Sequence, residues 1–167
     1  MIILGIDPGY AITGFGVIRY ENKTLRPIDF GVVKTEAGTP FPDRLLAIDQ
    51  ALSELVRLYQ PDCFAVEELF FSRNTTTAIG TAQARGVAVV AAARAGLPVY
   101  EYTPIQVKAA ITGYGRAEKR QIQEMVRVLL NLRTMPKPDD AADALAVAIC
   151  HAHSGNRDSN RAVGGYQ

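Results

Sequence analysis

Apolar residues along this chain follow two rhythms. Ile2-Ile3-Leu4-Gly5-Ile6 and Cys63-Phe64-Ala65-Val66 are short unbroken runs, the pattern of strands buried on both faces. The first run stops at the turn signal Asp7-Pro8-Gly9, and a second strand is expected over Gly14 to Tyr20. Glu21-Asn22-Lys23 predicts a hairpin into a third strand near Leu25 to Lys34. From Asp43 to Tyr59 the rhythm changes. Leu45, Ile48, Leu52, Leu55, Val56 and Tyr59 recur at helical spacing until Gln60-Pro61-Asp62 breaks the pattern.

Residues Phe70 to Thr77 read as a polar loop, followed by an Ala- and Gly-rich helix from about Thr76 to Ala95. Leu97 to Tyr102 predicts a short strand, Pro104 to Ile111 a short helix, and Thr112-Gly113-Tyr114-Gly115 a loop. A helix over Ala117 to Leu130 presents Val126, Leu129 and Leu130 on its apolar side. A proline-containing linker, 131–138, leads to a last helix from Asp139 to His153. A hairpin-connected start followed by strands alternating with helices predicts an α/β fold with a five-stranded mixed sheet flanked by helices. Residues 1–154 are expected to form one domain, and 155–167, polar and Gly-rich, a loose tail.

With 48% apolar and 21% charged residues in 167, the chain has the composition of a globular domain with a full core. No basic start precedes a long apolar run, so no signal peptide is expected. The longest central apolar stretch, Val87 to Ala93, is too short to span a bilayer. Cys63 and Cys150 lack metal-ligand spacing and are expected as buried thiols, consistent with a cytoplasmic protein. The net charge of +1 conceals a division. Residues 1–72 carry six Lys/Arg against ten Asp/Glu, residues 73–137 ten against three, and residues 138–167 two against four. A basic section beside acidic ones suits a protein that holds a polyanion and acts on it with cations.

The acids carry the chemistry. Asp7 and Glu67-Glu68 stand at the C-terminal ends of the two buried runs, where open α/β sheets commonly place their sites. If those strands are neighbours, the acids share one cleft. Asp140 and Asp143, three apart on the last predicted helix, share a face. Asp143 interrupts an otherwise apolar stretch, whereas Asp139 is better explained as a helix cap. Clustered carboxylates repel one another. Mg²⁺ relieves that repulsion, and two such ions about 3.5–4 Å apart can promote phosphodiester hydrolysis. Spacing alone does not choose between Glu67 and Glu68.

Ile3-Leu4-Gly5-Ile6-Asp7-Pro8-Gly9 with Thr13-Gly14, Ala65-Val66-Glu67, Gln83-Ala84-Arg85-Gly86-Val87-Ala88, Gln106-Val107-Lys108 and Asp140-Ala141-Ala142-Asp143-Ala144-Leu145-Ala146 resemble the RuvC family, in order, over nearly all of residues 2–153. The resemblance implies a ribonuclease-H-like fold and metal-binding acids at Asp7, Glu67, Asp140 and Asp143, which selects Glu67. It implies two Mg²⁺ per site, with Mn²⁺ a substitute, and a homodimer that nicks opposed strands of four-way (Holliday) junction DNA. A junction-binding and branch-migration motor of the RuvA and RuvB type is the implied partner.

Lys108 and Lys119 match basic positions near the scissile phosphate in that family, where a cation would neutralise charge developing in the transition state. Phe70 or Phe71 can stack on unpaired bases at a junction, a contact worth about 1–3 kcal/mol per base, and the resemblance favours Phe70 as the ring near the junction centre. Arg73, Asn74, Arg85, Arg116 and Arg120 are candidates for contacts to the DNA backbone. His151 and His153 read as structural or solvated. Gly80, Ala84 and Ala88 form a small-residue stripe that could approach the sheet or a second subunit; the resemblance points to dimerisation. Two other readings remain at this stage. Asp7-Pro8-Gly9 with Thr13-Gly14 also looks like the phosphate loop of an actin or sugar-kinase type ATPase, and a junction-binding protein that does not cut would share the basic section.

Overall fold

The computed structural model describes residues 1–69 and 75–154, without the side chains of 75–77. Five strands, β1 (Ile2–Asp7), β2 (Ile12–Glu21), β3 (Thr24–Lys34), β4 (Cys63–Glu67) and β5 (Val99–Tyr102), form one sheet in the order β3-β2-β1-β4-β5. The first three pair antiparallel, while β1–β4 and β4–β5 pair parallel. The sheet is therefore mixed, as the order of elements predicts. Both unbroken apolar runs lie at its centre, which explains their lack of alternation. Each must offer apolar side chains to two faces.

Helices α1 (Phe41–Tyr59) and α2 (Thr75–Arg94) cover one face. There Leu4, Ile6, Val17, Phe64 and Val66 meet Ile48, Leu52 and the alanines of α2. Helices α3 (Pro104–Thr112), α4 (Lys119–Leu129) and α5 (Asp139–Ser154) cover the other. Ile3, Ile18, Cys63, Ala65 and Tyr102 face them. Both cysteines are buried free thiols, as expected. No described helix is long and apolar enough to cross a membrane.

The boundaries that shift have local causes. α1 starts at Phe41, before the expected Asp43, because Pro40 stands at its N-cap and Pro42 in its first turn, where the fixed φ suits a helix start. α4 starts at Lys119, after the expected Ala117, because the Gln121 side chain reaches back to the Glu118 backbone N–H at 2.9 Å and closes that end. The tail at 155–167 lies outside the described residues.

One packing feature positions the site. α5 lies directly across Gly5 of β1 and Gly14 and Gly16 of β2. A Cβ at Gly5 would come within 2.3 Å of the Ala144 carbonyl oxygen, and one at Gly14 within 2.0 Å of the Asp140 carbonyl oxygen. With Ala141, Ala142, Ala144, Ala146 and Ala148 buried, small residues on both partners let backbones approach almost to contact.

Candidate active site

Parallel pairing of β1 with β4 aligns Ile6 with Val66, so the next residue on each strand, Asp7 and Glu67, emerges side by side at the same sheet edge. The close approach of α5 then brings Asp143 over that edge. Asp7, Glu67 and Asp143 line one pocket of about 220 Å³ together with Lys108, Lys119, Pro104, Val107, Ile122 and Ala146. Asp140 borders this pocket without lining it. Its backbone lies over Gly14, which is itself paired with Asp7. Glu68 does not line it; its N–H instead bonds the Tyr102 carbonyl at 2.8 Å. Of the two, Glu67 is the one that lines the pocket.

Burial and mutual repulsion oppose ionisation here. Asp7 is pushed up to about 8 by desolvation, then by the charges of Glu67, Asp143 and Asp140. Glu67 is pushed up to about 7 by desolvation and by Asp143, against the pull of Lys108 and Lys119. Asp143 is also raised, burial again coming first, although Lys119 opposes it. The Lys119 ammonium pairs with Asp143 at 3.1 Å and with Asp139 at 3.3 Å. Burial lowers its pKa, but these partners outweigh that and leave it raised. The pocket is a carboxylate cluster whose charge Lys108 and Lys119 offset only in part. Among the described residues no three His, Cys, Asp or Glu side chains converge into a ready-made ligand set, as expected of acids that repel one another.

The remaining sequence candidates separate. Arg116 and Arg120 are exposed at the start of α4, on the same element end as Lys119. Arg85 forms an ion pair with Glu101 of β5, both about four-fifths buried, which ties α2 to the sheet. The small-residue stripe also turns inward, since Ala84 and Ala88 are buried against the sheet and Gly80 meets the Tyr10 ring. Asp139 stands where its charge favours the helix dipole. It is the first helical residue, within the first turn of α5, and an ion-pair partner of Lys119. His151 is structural: Tyr102 Oη lies 2.7 Å from its Nδ1, Tyr100 lies against its ring, and burial holds its pKa down at about 4. His153 is exposed, with Nδ1 3.1 Å from the Ala110 carbonyl. Phe70, Arg73 and Asn74 lie outside the described residues.

The glycines under α5 allow the close packing that positions the pocket, and sequence reasoning passed over that role. Their signal was present: Gly5, Gly14 and Gly16 interrupt strands that would otherwise favour bulky residues, a mark of close backbone approach. Thr13, read as part of a phosphate loop, is buried and spends its hydroxyl on the Gly9 carbonyl at 2.7 Å, closing the turn after Asp7.

A sequence profile of the family described as "Crossover junction endodeoxyribonuclease RuvC" matches residues 3–151. A protein of that name from Alkaliphilus metalliredigens is 58% identical over 159 residues, 95% of this chain and 97% of its own. Another, from Desulfitobacterium hafniense, is 60% identical over 93% of this chain and 94% of its own. Among solved structures, Thermus thermophilus RuvC in complex with Holliday junction substrate superposes with a TM-score of 0.87 at 40% identity, covering 92% of this chain and 94% of its own. The yeast mitochondrial Holliday junction resolvase Ydc2, at 11% identity and a TM-score of 0.64, shares the fold. That fold is ribonuclease-H-like. The family profile, the relatives and the fold agree, and this chain belongs to the RuvC family of crossover junction endodeoxyribonucleases.

Proposed function

We propose that this chain resolves four-way (Holliday) junctions by paired, metal-dependent hydrolytic nicks in opposed strands, using the domain formed by residues 1–154. The observation that carries the proposal is the single pocket in which Asp7, Glu67 and Asp143 meet Lys108 and Lys119.

The donor set tests whether a cation fits. Its oxygens are hard ligands, and Asp7 and Glu67 resist ionisation because they are buried and lie near other acids. Mg²⁺, which prefers carboxylates and retained waters, answers both features, with Mn²⁺ an alternative ion. Asp7, Glu67, Asp143 and the bordering Asp140 would hold it, as two ions. When bound it supplies the positive charge that activates a water and stabilises a leaving oxygen. The protein's own groups do the rest. Lys108, on α3, lines the pocket and can hold a phosphate oxygen. Lys119 is presented at the first position of α4 and can exchange its carboxylate partners for the phosphate. The apolar lining of Val107, Ile122 and Ala146 limits water around the reacting group. Arg116, Arg120 and, in the stretch before α2, Phe70, Arg73 and Asn74 are proposed to hold and open the junction.

Paired nicks need two such pockets, which calls for a homodimer. A second copy has an available surface. Leu45, Leu46, Val87, Val90 and the bare backbone of Gly86 line an apolar groove between α1 and α2. Leu46 and Val90 are about half exposed, and a Cβ at Gly86 would meet nothing. A RuvA and RuvB type motor remains the partner implied by the family. The ATPase and non-cutting readings are not favoured: Thr13 has no free hydroxyl for a phosphate, and a pure binding protein has no use for a costly buried acid cluster.

The test is to incubate the protein with synthetic four-way junctions, plain duplex and RNA–DNA hybrid, with and without Mg²⁺, and map the products. Symmetric nicks in junctions, only with Mg²⁺, are expected. Asp143→Asn should lower the rate at least about 10³-fold while binding the junction, since it removes an acid and no phosphate contact. Normal turnover by that variant, or equal cutting of plain duplex, defeats the proposal.

A further inference from the structure

We infer that Arg44, on α1, is a positioning residue for the catalytic pocket, acting through the turn that aims Asp7. The inference rests on the function proposed above. The turn runs from Asp7 through Pro8, Gly9, Tyr10 and Ala11 before β2 resumes at Ile12. It is so tight that a Cβ at Gly9 would lie 2.0 Å from the Ile12 carbonyl oxygen. Asp7 must stay beside Glu67 and Asp143 although the three charges repel, so the turn that carries it has to resist displacement.

Arg44 supplies the brace. Its Nε donates to Thr35 Oγ1 at 2.8 Å, and that hydroxyl donates in turn to the Tyr10 carbonyl at 2.7 Å. One terminal nitrogen points at the carbonyls of Tyr10 and Thr35, at 3.4 Å each. The guanidinium lies over the Tyr10 ring, 3.8 Å from its centroid. The other side of the turn is held as well. The Thr35 N–H bonds the Ala11 carbonyl at 3.0 Å, and the Tyr10 ring lies near Phe41, 5.6 Å between centroids, and beside Gly80, where a Cβ would come within 3.2 Å of it. One cation thus joins the start of α1, the residue following β3 and the turn after β1.

Two features separate this from an ordinary surface arginine. Among the described residues no carboxylate pairs with Arg44. Its charge is met by carbonyl dipoles, a hydroxyl and a ring face, supplied by Tyr10 in the turn and by Thr35 after β3. The arrangement also needs a flat fork that stacks and donates in two directions, which lysine lacks. A group that orients a ligand-bearing segment from behind typically changes metal affinity or activity about 10–100-fold when removed.

The test compares wild type with Arg44→Met, Arg44→Lys and Thr35→Val. Three quantities are read: the Mg²⁺ concentration giving half the maximal thermal shift of the protein alone, junction affinity in EDTA, and single-turnover cleavage at saturating junction. Arg44→Met should raise the Mg²⁺ midpoint and lower the cleavage rate, each about 10–100-fold, with junction affinity unchanged. Arg44→Lys should recover only part of either, and Thr35→Val should move both in the same direction by less. Should Arg44→Met not fold, Thr35→Val decides. A weaker junction affinity with an unchanged Mg²⁺ midpoint would make Arg44 a DNA contact and overturn the inference. So would a lower melting temperature with unchanged midpoint and rate. Wild type that neither shifts with Mg²⁺ nor cuts would instead defeat the proposed function, and this inference with it.

Discussion

Replacing Asp7 by Asn should make the metal-free protein more stable, and the gain should depend on pH. In the folded chain Asp7 titrates near 8, against an ordinary 3.8. Between those values the folded state holds a proton that the unfolded state has released. Stability contributed at this position is therefore fully present below about pH 4 and falls as pH rises to about 8. At about 1.4 kcal/mol per tenfold change in proton affinity, the gross cost of the charged form is about 6 kcal/mol. Water entry and relaxation in an open pocket return part of that, leaving about 2–4 kcal/mol. Asn has a similar shape and no charge to desolvate, so Asp7→Asn should gain about that much at pH 8. For a chain of this size the gain corresponds to a melting temperature higher by about 5–10 °C. Thermal unfolding in EDTA at pH 5 and pH 8 measures it, and the advantage should shrink at pH 5. Added Mg²⁺ should raise the wild-type melting temperature and narrow the gap. A variant less stable than wild type at pH 8, or an advantage that does not shrink at pH 5, would refute the reasoning.

Three further outcomes are expected. Gly5→Ala places a methyl group against the Ala144 carbonyl, so α5 must move outward; a loss of about 3 kcal/mol or more in denaturant unfolding is expected, with lost cleavage. Lys119→Met removes the ammonium that pairs with Asp143; single-turnover cleavage should fall about 10²–10³-fold, with junction affinity nearly unchanged by filter binding. Junction affinity measured against salt should fall steeply and linearly on a logarithmic plot, at about −0.9 per phosphate neutralised; a flat response would contradict an electrostatic footprint.

Much of the architecture was legible because its signals are local. Unbroken apolar runs mark strands covered on both faces, and helical spacing over Leu45 to Tyr59 marks one covered on one side only. The acids at the strand ends were visible for the same reason, and so was Asp143, a charge in an apolar helix. Arg85 and Ala84 show where local reading stops. A basic residue and a small-residue stripe look alike whether they face DNA, a partner or the sheet. Glu101 and the apolar face of β4 settled both, and neither is near them in sequence.

The chain by itself determined which segments become strands and helices, and which residue types stand at their ends. Only the folded arrangement decided which of those ends meet. Parallel alignment of β1 with β4 puts Asp7 beside Glu67, and three bare glycines let α5 descend far enough to add Asp143. The reason is physical. Periodicity records whether a side chain is covered, but the distance between two elements depends on the bulk of both together. No single stretch of sequence contains that information.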